Sequence, residues 1–398
     1  MKKNLGVFFG GRTCEHDVSI ITGHQVVENA NKEKYNVIPV YIARDGQWYM
    51  GEKLLDIGFY KTFNKDLVTP VYIEPNPGNV QIYSCKPAGG LLGSKRKPLA
   101  TLDVVLPAMH GMNGEDGTLQ GLFELCNLPH TSPAPLGSAV GMDKIAMRLL
   151  FQGAGFPVLP CRWFERGSWK NQREAALADV ESSLGYPVIV KPANLGSSIG
   201  IGRADDREAL GRAMEVAFCY DRRVIVEKAI DCSEINCSAL GFAENVEASL
   251  CEQPVTWEQF LTFEEKYLRG GGKSAGMKSM GRIIPAPIDE GQTQRIRGLT
   301  VDIFRALDCK GVVRVDFMID KADNTLYVNE INTIPGSLAF YLWEPLGVPF
   351  SALIDRMVEV AEAAHREKNQ NDYAFDSKIL EKNSAGVKSG AKVRGAKG

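Results

Sequence analysis

Val312-Val-Arg314-Val-Asp316-Phe-Met-Ile319, then Asp320-Lys-Ala-Asp-Asn324, then Thr325-Leu-Tyr-Val-Asn-Glu330-Ile331 reads as strand, turn, strand. The outer pieces are rich in β-branched residues, and the middle has hairpin-turn composition. Residues two apart on a strand share a face. Arg314 and Asp316 therefore lie together, and so do Glu330 and Asn332. If the two faces coincide, two carboxylates, an amide oxygen and a guanidinium converge. Three oxygen ligands suit Mg²⁺, a hard cation that shares its shell with water and phosphates. A magnesium site beside an arginine is what phosphoryl chemistry needs. The same residues also fit a hairpin with a merely solvated polar face. The rest of the chain has to choose.

A length of 398 residues implies two or three domains, and 44% hydrophobic with 24% charged residues is ordinary for a globular protein. A net charge of -2 gives no reason to expect nucleic acid or an anionic membrane as a partner. Nine cysteines without a CxxC pair or a histidine beside Cys232 and Cys237 fit reduced thiols in a cytoplasmic protein. The opening apolar run breaks at Gly10-Gly11, too early for a signal peptide, so it reads as a core strand. No apolar run approaches the roughly 20 residues of a membrane span.

Strand Leu5–Phe9, helix Val18–Asn31 and strand Tyr35–Ile42 open a parallel α/β unit. Residues 46–99 read as irregular strands and loops elaborating it. A strand at Leu102–Leu106 and helices at Thr118–Cys126 and Asp143–Ala154 follow. A central segment then carries helices Glu174–Ser183 and Arg207–Phe218 and strands Val188–Lys191 and Val224–Lys228. The last part holds strands, a glycine-rich loop at Gly270–Gly281, helix Gln292–Leu307, the hairpin and helix Phe350–Arg366. These divide the chain into domains at 1–140, 141–230 and 231–368. The basic tail 369–398 lacks apolar periodicity and is expected to be disordered.

Four further motifs bear on chemistry. Lys191-Pro-Ala-Asn-Leu-Gly196-Ser197-Ser-Ile-Gly200 is either a tight turn or a loop whose N–H groups and serines cradle phosphate. It matches neither a Walker A loop nor a dinucleotide fingerprint, which disfavours a GTPase or a dehydrogenase. Glu227-Lys228 ends a buried strand, either as a surface ion pair or as a hinge reading an adenine, with Glu234 on the ribose. His110-Gly-Met-Asn-Gly-Glu115-Asp116 is a strand-to-helix loop whose histidine is structural or a transition-state donor. Glu15 precedes the first helix, where it serves the helix N-terminus or receives an ammonium.

In this order the motifs resemble the D-alanine–D-alanine ligase family of the ATP-grasp superfamily, from residue 4 to about residue 367. The match is strongest at Gly10–Ser19, His110–Gly121, Met142-Asp-Lys144, Val190–Gly200, Glu227–Glu234, Glu265-Lys-Tyr267, Arg314–Asp316 and Glu330–Gly336. The resemblance implies an α/β, three-domain ATP-grasp fold with an N-terminal parallel α/β preATP-grasp domain. It implies ATP, two Mg²⁺ (or Mn²⁺) ions, a homodimer, and ligation of two D-alanines for peptidoglycan precursors through a D-alanyl phosphate. It places Lys144, Lys191 and Lys266 on the ATP phosphates, Glu227, Lys228 and Ile230 at the adenine, and Glu234 on the ribose. Asp316, Glu330 and Asn332 match the metal ligands. Arg314 and the Gly336 N–H match the groups stabilising the tetrahedral oxyanion. Glu15 matches the receiver of the first substrate's ammonium, and Glu15, Ser197 and Tyr267 match a triad closing a mobile loop, with Gly270–Gly281 as the lid.

Tyr267 favours an amine acceptor, because relatives that make D-alanyl-D-lactate replace this tyrosine. The departure lies after Gly336. The family has a serine-leucine pair there that holds the second substrate's carboxylate. Here Ser337-Leu-Ala-Phe-Tyr341-Leu342-Trp343 puts Tyr341 in the serine's place, so Ser337 or Tyr341 is expected to take over. His130 is a smaller departure at a position where an aromatic is common. A ligase with another second substrate, such as D-serine, and a non-catalytic nucleotide-binding regulator are the alternative readings.

Overall fold

The computed structural model describes residues 2–78, 80–86, 97–255, 281–375 and 377. The first of its three sheets starts with β1 (Lys3–Gly10), α1 (His16–Asn29) and β2 (Tyr35–Ile42). β1 and β2 pair in parallel, Leu5 opposite Val37. Leu5, Val7, Phe8 and Phe9 are all buried. A strand covered on both faces reads as a continuous apolar run, as β1 does. Among its described residues, the stretch read as irregular elaboration contains three short 3₁₀ turns and β3 (Trp48–Met50), β4 (Thr69–Ile73) and β5 (Gln81–Ser84), and β6 (Ala100–Thr101) follows it. These strands extend the sheet antiparallel from β2. β7 (Val104–Pro107) closes the other side, parallel to β1.

α2 (Thr118–Leu125), α3 (Pro135–Met142) and α4 (Lys144–Gly153) follow. α3 had no signal in the sequence because Gly137 and Gly141 are poor helix formers. The glycines are there for approach. A Cβ on Gly141 would sit 2.6 Å from Thr333 Cγ2, and one on Gly137 would sit 2.8 Å from the Leu307 carbonyl oxygen. Asp143 ends α3 and caps α4, its Oδ1 accepting from Ile145 N at 3.0 Å and Ala146 N at 2.9 Å.

The second sheet comprises β8 (Cys161–Glu165), β9 (Val188–Pro192), β10 (Gly202–Ala204) and β11 (Arg223–Lys228) in the order β10-β9-β11-β8, all antiparallel. α5 (Arg166–Asn171), α6 (Arg173–Ser183) and α7 (Arg207–Tyr220) accompany it. Leu177, Val180, Leu210 and Met214 pack with Val188, Val190, Val224 and Val226 of β9 and β11. Edge strand β8 is half exposed, and no apolar pattern announces it.

The third sheet is antiparallel, in the order β14-β13-β12-β15-β16. Its strands are β12 (Cys232–Phe242), β13 (Asn245–Pro254), β14 (Arg282–Ile283), β15 (Lys310–Asp320) and β16 (Leu326–Asn332). α8 (Glu290–Ala306) packs Ile296, Ile303 and Phe304 on one face. α9 (Phe350–Lys368) packs Leu353, Ile354 and Met357 into the core of the first sheet. The polar face of β15 and β16 is left to build a site. No single helix among the described residues is long and apolar enough to cross a membrane. The expected disordered tail beyond residue 377 and residues 270–280 of the expected lid lie outside the described residues.

Candidate active site

The two halves of the hairpin do coincide. Arg314 pairs with Asn332 and Asp316 with Glu330 across β15 and β16. All four are half-buried while Val313, Val315, Phe317 and Ile331 are buried on the other face. Arg314 Nε donates to Asp316 Oδ1 and Nη2 to Oδ2, both at 2.7 Å, a bidentate fork. Asn332 Nδ2 donates to Asp316 Oδ2 at 2.9 Å, so its oxygen is the atom it can offer a cation. Burial pushes the Asp316 carboxyl up, Arg314 pulls it down, and the charge of Glu330 pushes it up again. A crowded pair of carboxylates plus an amide oxygen is a donor set that fits a hard divalent cation. Among the described residues no group of three His, Cys, Asp or Glu side chains gathers as a metal site.

The register shifts after Asp316, with Phe317 facing Val328. Asn329 is thereby bulged out of the ladder, and simple alternation fails at it. Its Oδ1 accepts from Lys191 Nζ at 3.3 Å. Lys191 also lies 2.6 Å from Glu227 Oε2. Glu227 is buried and is not a surface partner of Lys228, whose Nζ donates instead to the Tyr186 carbonyl at 3.0 Å. Burial alone would raise the Glu227 carboxyl, but Lys191 and Arg148 overcome it and hold it at about 2. The carboxylate therefore faces two cations, and Lys228 and Ile230 just beyond it are half-buried. Glu234 is exposed on β12, opposite Met318.

Sequence reading passed over Arg148. Its guanidinium binds Glu227 Oε1, the Val328 carbonyl at 2.9 Å and the Asn329 carbonyl at 3.2 Å. One buried side chain thus ties the second sheet to the third. On α4 it stands among apolar residues, and the only available hint is an arginine one turn beyond Lys144 in an otherwise apolar stretch. Lys144 at the start of α4 reaches the Leu195 carbonyl at 2.8 Å and Glu330 Oε2 at 3.3 Å.

Three loops close the other side. Ser197 and Ser198 have φ of 54° and 61°, so the 194–200 loop turns through left-handed backbone. Asp221 anchors it by accepting from Asn194 N at 2.8 Å and Nδ2 at 2.9 Å. Ser197 Oγ donates to Glu15 Oε1, which joins two of the three expected triad members. Lys266 and Tyr267 lie outside the described residues. Glu115 accepts from Gly111 N at 2.7 Å and Ile334 N at 3.2 Å. Burial and the adjacent Glu15 push its carboxyl up to about 8 against those donors. His110 meets Thr22 Oγ1 at 2.8 Å, and burial lowers its ring to about 4, so it is neutral at pH 7.

The two models of the D-ala D-ala ligase family match this chain, the N-terminus model at residues 4–133 and the C-terminus model at 150–359. The chain belongs to the D-alanine–D-alanine ligase family. A D-alanine–D-alanine ligase of Thermosipho africanus is 39% identical over 378 residues, covering 95% of this chain and 98% of the relative. One of Geobacillus thermodenitrificans is 38% identical over 380 residues, covering 94% and 100%. Among solved structures, the ligase of Coxiella burnetii aligns with a TM-score of 0.75 at 27% identity, over 93% of this chain and 96% of that one. The VanG D-Ala:D-Ser ligase of Enterococcus faecalis aligns with a TM-score of 0.75 at 31% identity, over 91% and 100%. The fold is accordingly ATP-grasp, and the enzyme is an ATP-dependent, ADP-forming ligase.

Within this D-alanine–D-alanine ligase family member, Gly336–Leu342 forms a 3₁₀ segment. Ser337, Leu338 and Ala339 each have φ of 52°, left-handed backbone in three consecutive non-glycine residues. Ser337 N donates to Thr22 Oγ1 at 3.3 Å. Leu342 is buried. Tyr341 is buried too, its Oη 3.2 Å from Glu252 Oε1 and 3.4 Å from Arg314 Nη1. Trp343 Nε1 donates to Ser238 Oγ at 3.1 Å. His130, the other departure, is buried against Glu124 at 2.9 Å and Lys310 at 3.2 Å, away from these groups.

Proposed function

We propose that the chain joins two D-alanine molecules into D-alanyl-D-alanine for peptidoglycan precursors, in the cytoplasm, through a D-alanyl phosphate. One observation carries this reading: Arg314, Asp316, Glu330 and Asn332 share one face, with Lys144 at its edge. A free carboxylate is a poor electrophile because its leaving group is oxide. Transfer of the ATP γ-phosphoryl group to a carboxylate oxygen supplies phosphate as leaving group. The second D-alanine's amine then forms the C–N bond and loses a proton as the C–O bond to phosphate breaks.

Lys144 and Lys191 hold the phosphates, with Lys266 as a further lysine. Asp316, Glu330 and Asn332 would hold two Mg²⁺ (or Mn²⁺) ions, which when bound neutralise charge on the transferring phosphoryl group. The hinge at Glu227, Lys228 and Ile230 lines the base, Glu227 acting through Lys191, and Glu234 takes the ribose. Glu15, with Glu115 beside it, receives the first substrate's ammonium. Arg314 and the Gly336 N–H stabilise the tetrahedral oxyanion. Ser197 with Glu15, and Tyr267 beyond them, close the loop over the site. The domains 1–140, 141–230 and 231–368 bring these groups together, in a homodimer without nucleic-acid or membrane partners.

The test supplies ATP and Mg²⁺ with D-alanine, alone and against D-serine, D-lactate and L-alanine, and follows phosphate and product mass. Phosphate release matched to dipeptide is expected with D-alanine alone. Phosphate release that ignores D-alanine would overturn the reading. The likeness to the VanG D-Ala:D-Ser ligase favours a second reading, a D-serine acceptor, and a preference for mixed product would establish it.

A further inference from the structure

Ser337 or Tyr341 is expected to receive the acceptor's carboxylate, and the Tyr341 hydroxyl is engaged by protein groups. Its proton faces Glu252 Oε1 at 3.2 Å, and its lone pairs face Arg314 Nη1 at 3.4 Å. Glu252 is buried, and three donors converge on it. Arg282 Nη1 lies 2.8 Å from its Oε2, and Asn236 Nδ2 donates to Oε1 at 3.0 Å. The Arg282 guanidinium also covers the Tyr341 ring at 3.7 Å from its centroid, a cation–π contact. Asn236 stands opposite Asp316 on one side of β12 and opposite Glu252 on the other. A carboxylate brought to the Tyr341 hydroxyl would compete for a committed proton and meet the like charge of Glu252.

Arg314 gains from the same arrangement. Its Nε and Nη2 are held by Asp316, and Nη1 by Tyr341, so the planar fork is fixed from two sides. Donors held in place before charge develops lower the barrier without reorganisation. We propose that Tyr341, braced by Glu252 and Arg282, is a positioning residue that sets the orientation of Arg314 for the oxyanion and does not bind the acceptor's carboxylate. This rests on the ligase reading above.

Tyr341→Phe keeps the ring and its Arg282 contact and removes the hydroxyl. Its kcat for D-alanine ligation is expected to fall about tenfold, the scale of one lost orienting hydrogen bond, with KM for ATP and for each D-alanine within about twofold. A raised acceptor KM at unchanged kcat would overturn the proposal and make Tyr341 a substrate-binding group. Unchanged kinetics would overturn it as well. A thermal-unfolding double-mutant cycle between Tyr341→Phe and Arg314→Lys needs no turnover, so it separates this proposal from the ligase reading. The double variant should lose measurably less than the sum of the two single losses, because the shared contact is counted once. Strictly additive losses would contradict a contact between the two.

Discussion

Two walls of one cleft are built by different means. On β15 and β16, strand pairing carries the chemistry: Arg314 faces Asn332 and Asp316 faces Glu330. Behind them, a strained 3₁₀ segment carries Tyr341 and Trp343 into a buried network. Ladder geometry fixes side chains by a period that any sequence with the right pattern obeys. Three left-handed non-glycine residues hold only where surroundings over-determine them. The first wall is therefore set by local pattern, while the second depends on packing between distant parts of the chain.

The sharpest way to break that contrast is Glu330→Gln. It should cost at least about a thousandfold in kcat, the loss of a charged ligand for a phosphoryl-neutralising cation, while the fold survives. A near-normal rate, or an unfolded variant by circular dichroism, would contradict the division between chemistry and packing. Arg148→Met should act the other way, on stability. It leaves buried Glu227 with Lys191 alone, and denaturant titration should show a loss of about 3–5 kcal/mol. A loss under about 1 kcal/mol would mean that Arg148 does not tie the two sheets.

Acid tests the packing around the two walls. Burial lowers His110 beside the site and His130 behind it to about 4. Each folded value lies below the ordinary 6.5, so the native state holds fewer protons than the unfolded chain. Their contribution is complete above pH 6.5 and is lost as pH falls from there toward 4, by up to about 1.4 kcal/mol per pH unit for each group. Glu227, held at about 2, adds loss of the same sign below its ordinary 4.5. Glu115, raised to about 8, works in the opposite sense and offsets about one histidine down to pH 4.5. A net loss remains, and unfolding free energy that stays flat between pH 6.5 and 4 would refute this. The smallest effect belongs to Trp343→Phe, which removes the bond to Ser238. That bond and the cavity left by a fully buried indole should cost about 2 kcal/mol of stability, with kcat within twofold.

The sequence carried the hairpin's polar face because alternation and a turn are local signals. It did not carry Asn329, since a bulge is visible only once the partner strand is present. Arg148 was hidden because a lone arginine on a helix looks like surface until its partners arrive from β11 and β16. Glu252 and Arg282 sit on β13 and β14, strands far apart in the chain that pair with each other, so no spacing announces them. α3 was masked by glycines chosen for close approach to Thr333 and Leu307. What stayed illegible is what depends on contacts between elements far apart in the chain.

The central claim, that this site activates a carboxylate by phosphorylating it, is tested most directly with D-alanine labelled by ¹⁸O in its carboxyl group. Turnover with unlabelled ATP should place one labelled oxygen in each phosphate released, because the C–O bond broken in the second step carries it away. Phosphate free of label would show that water took the phosphoryl group and would contradict the account.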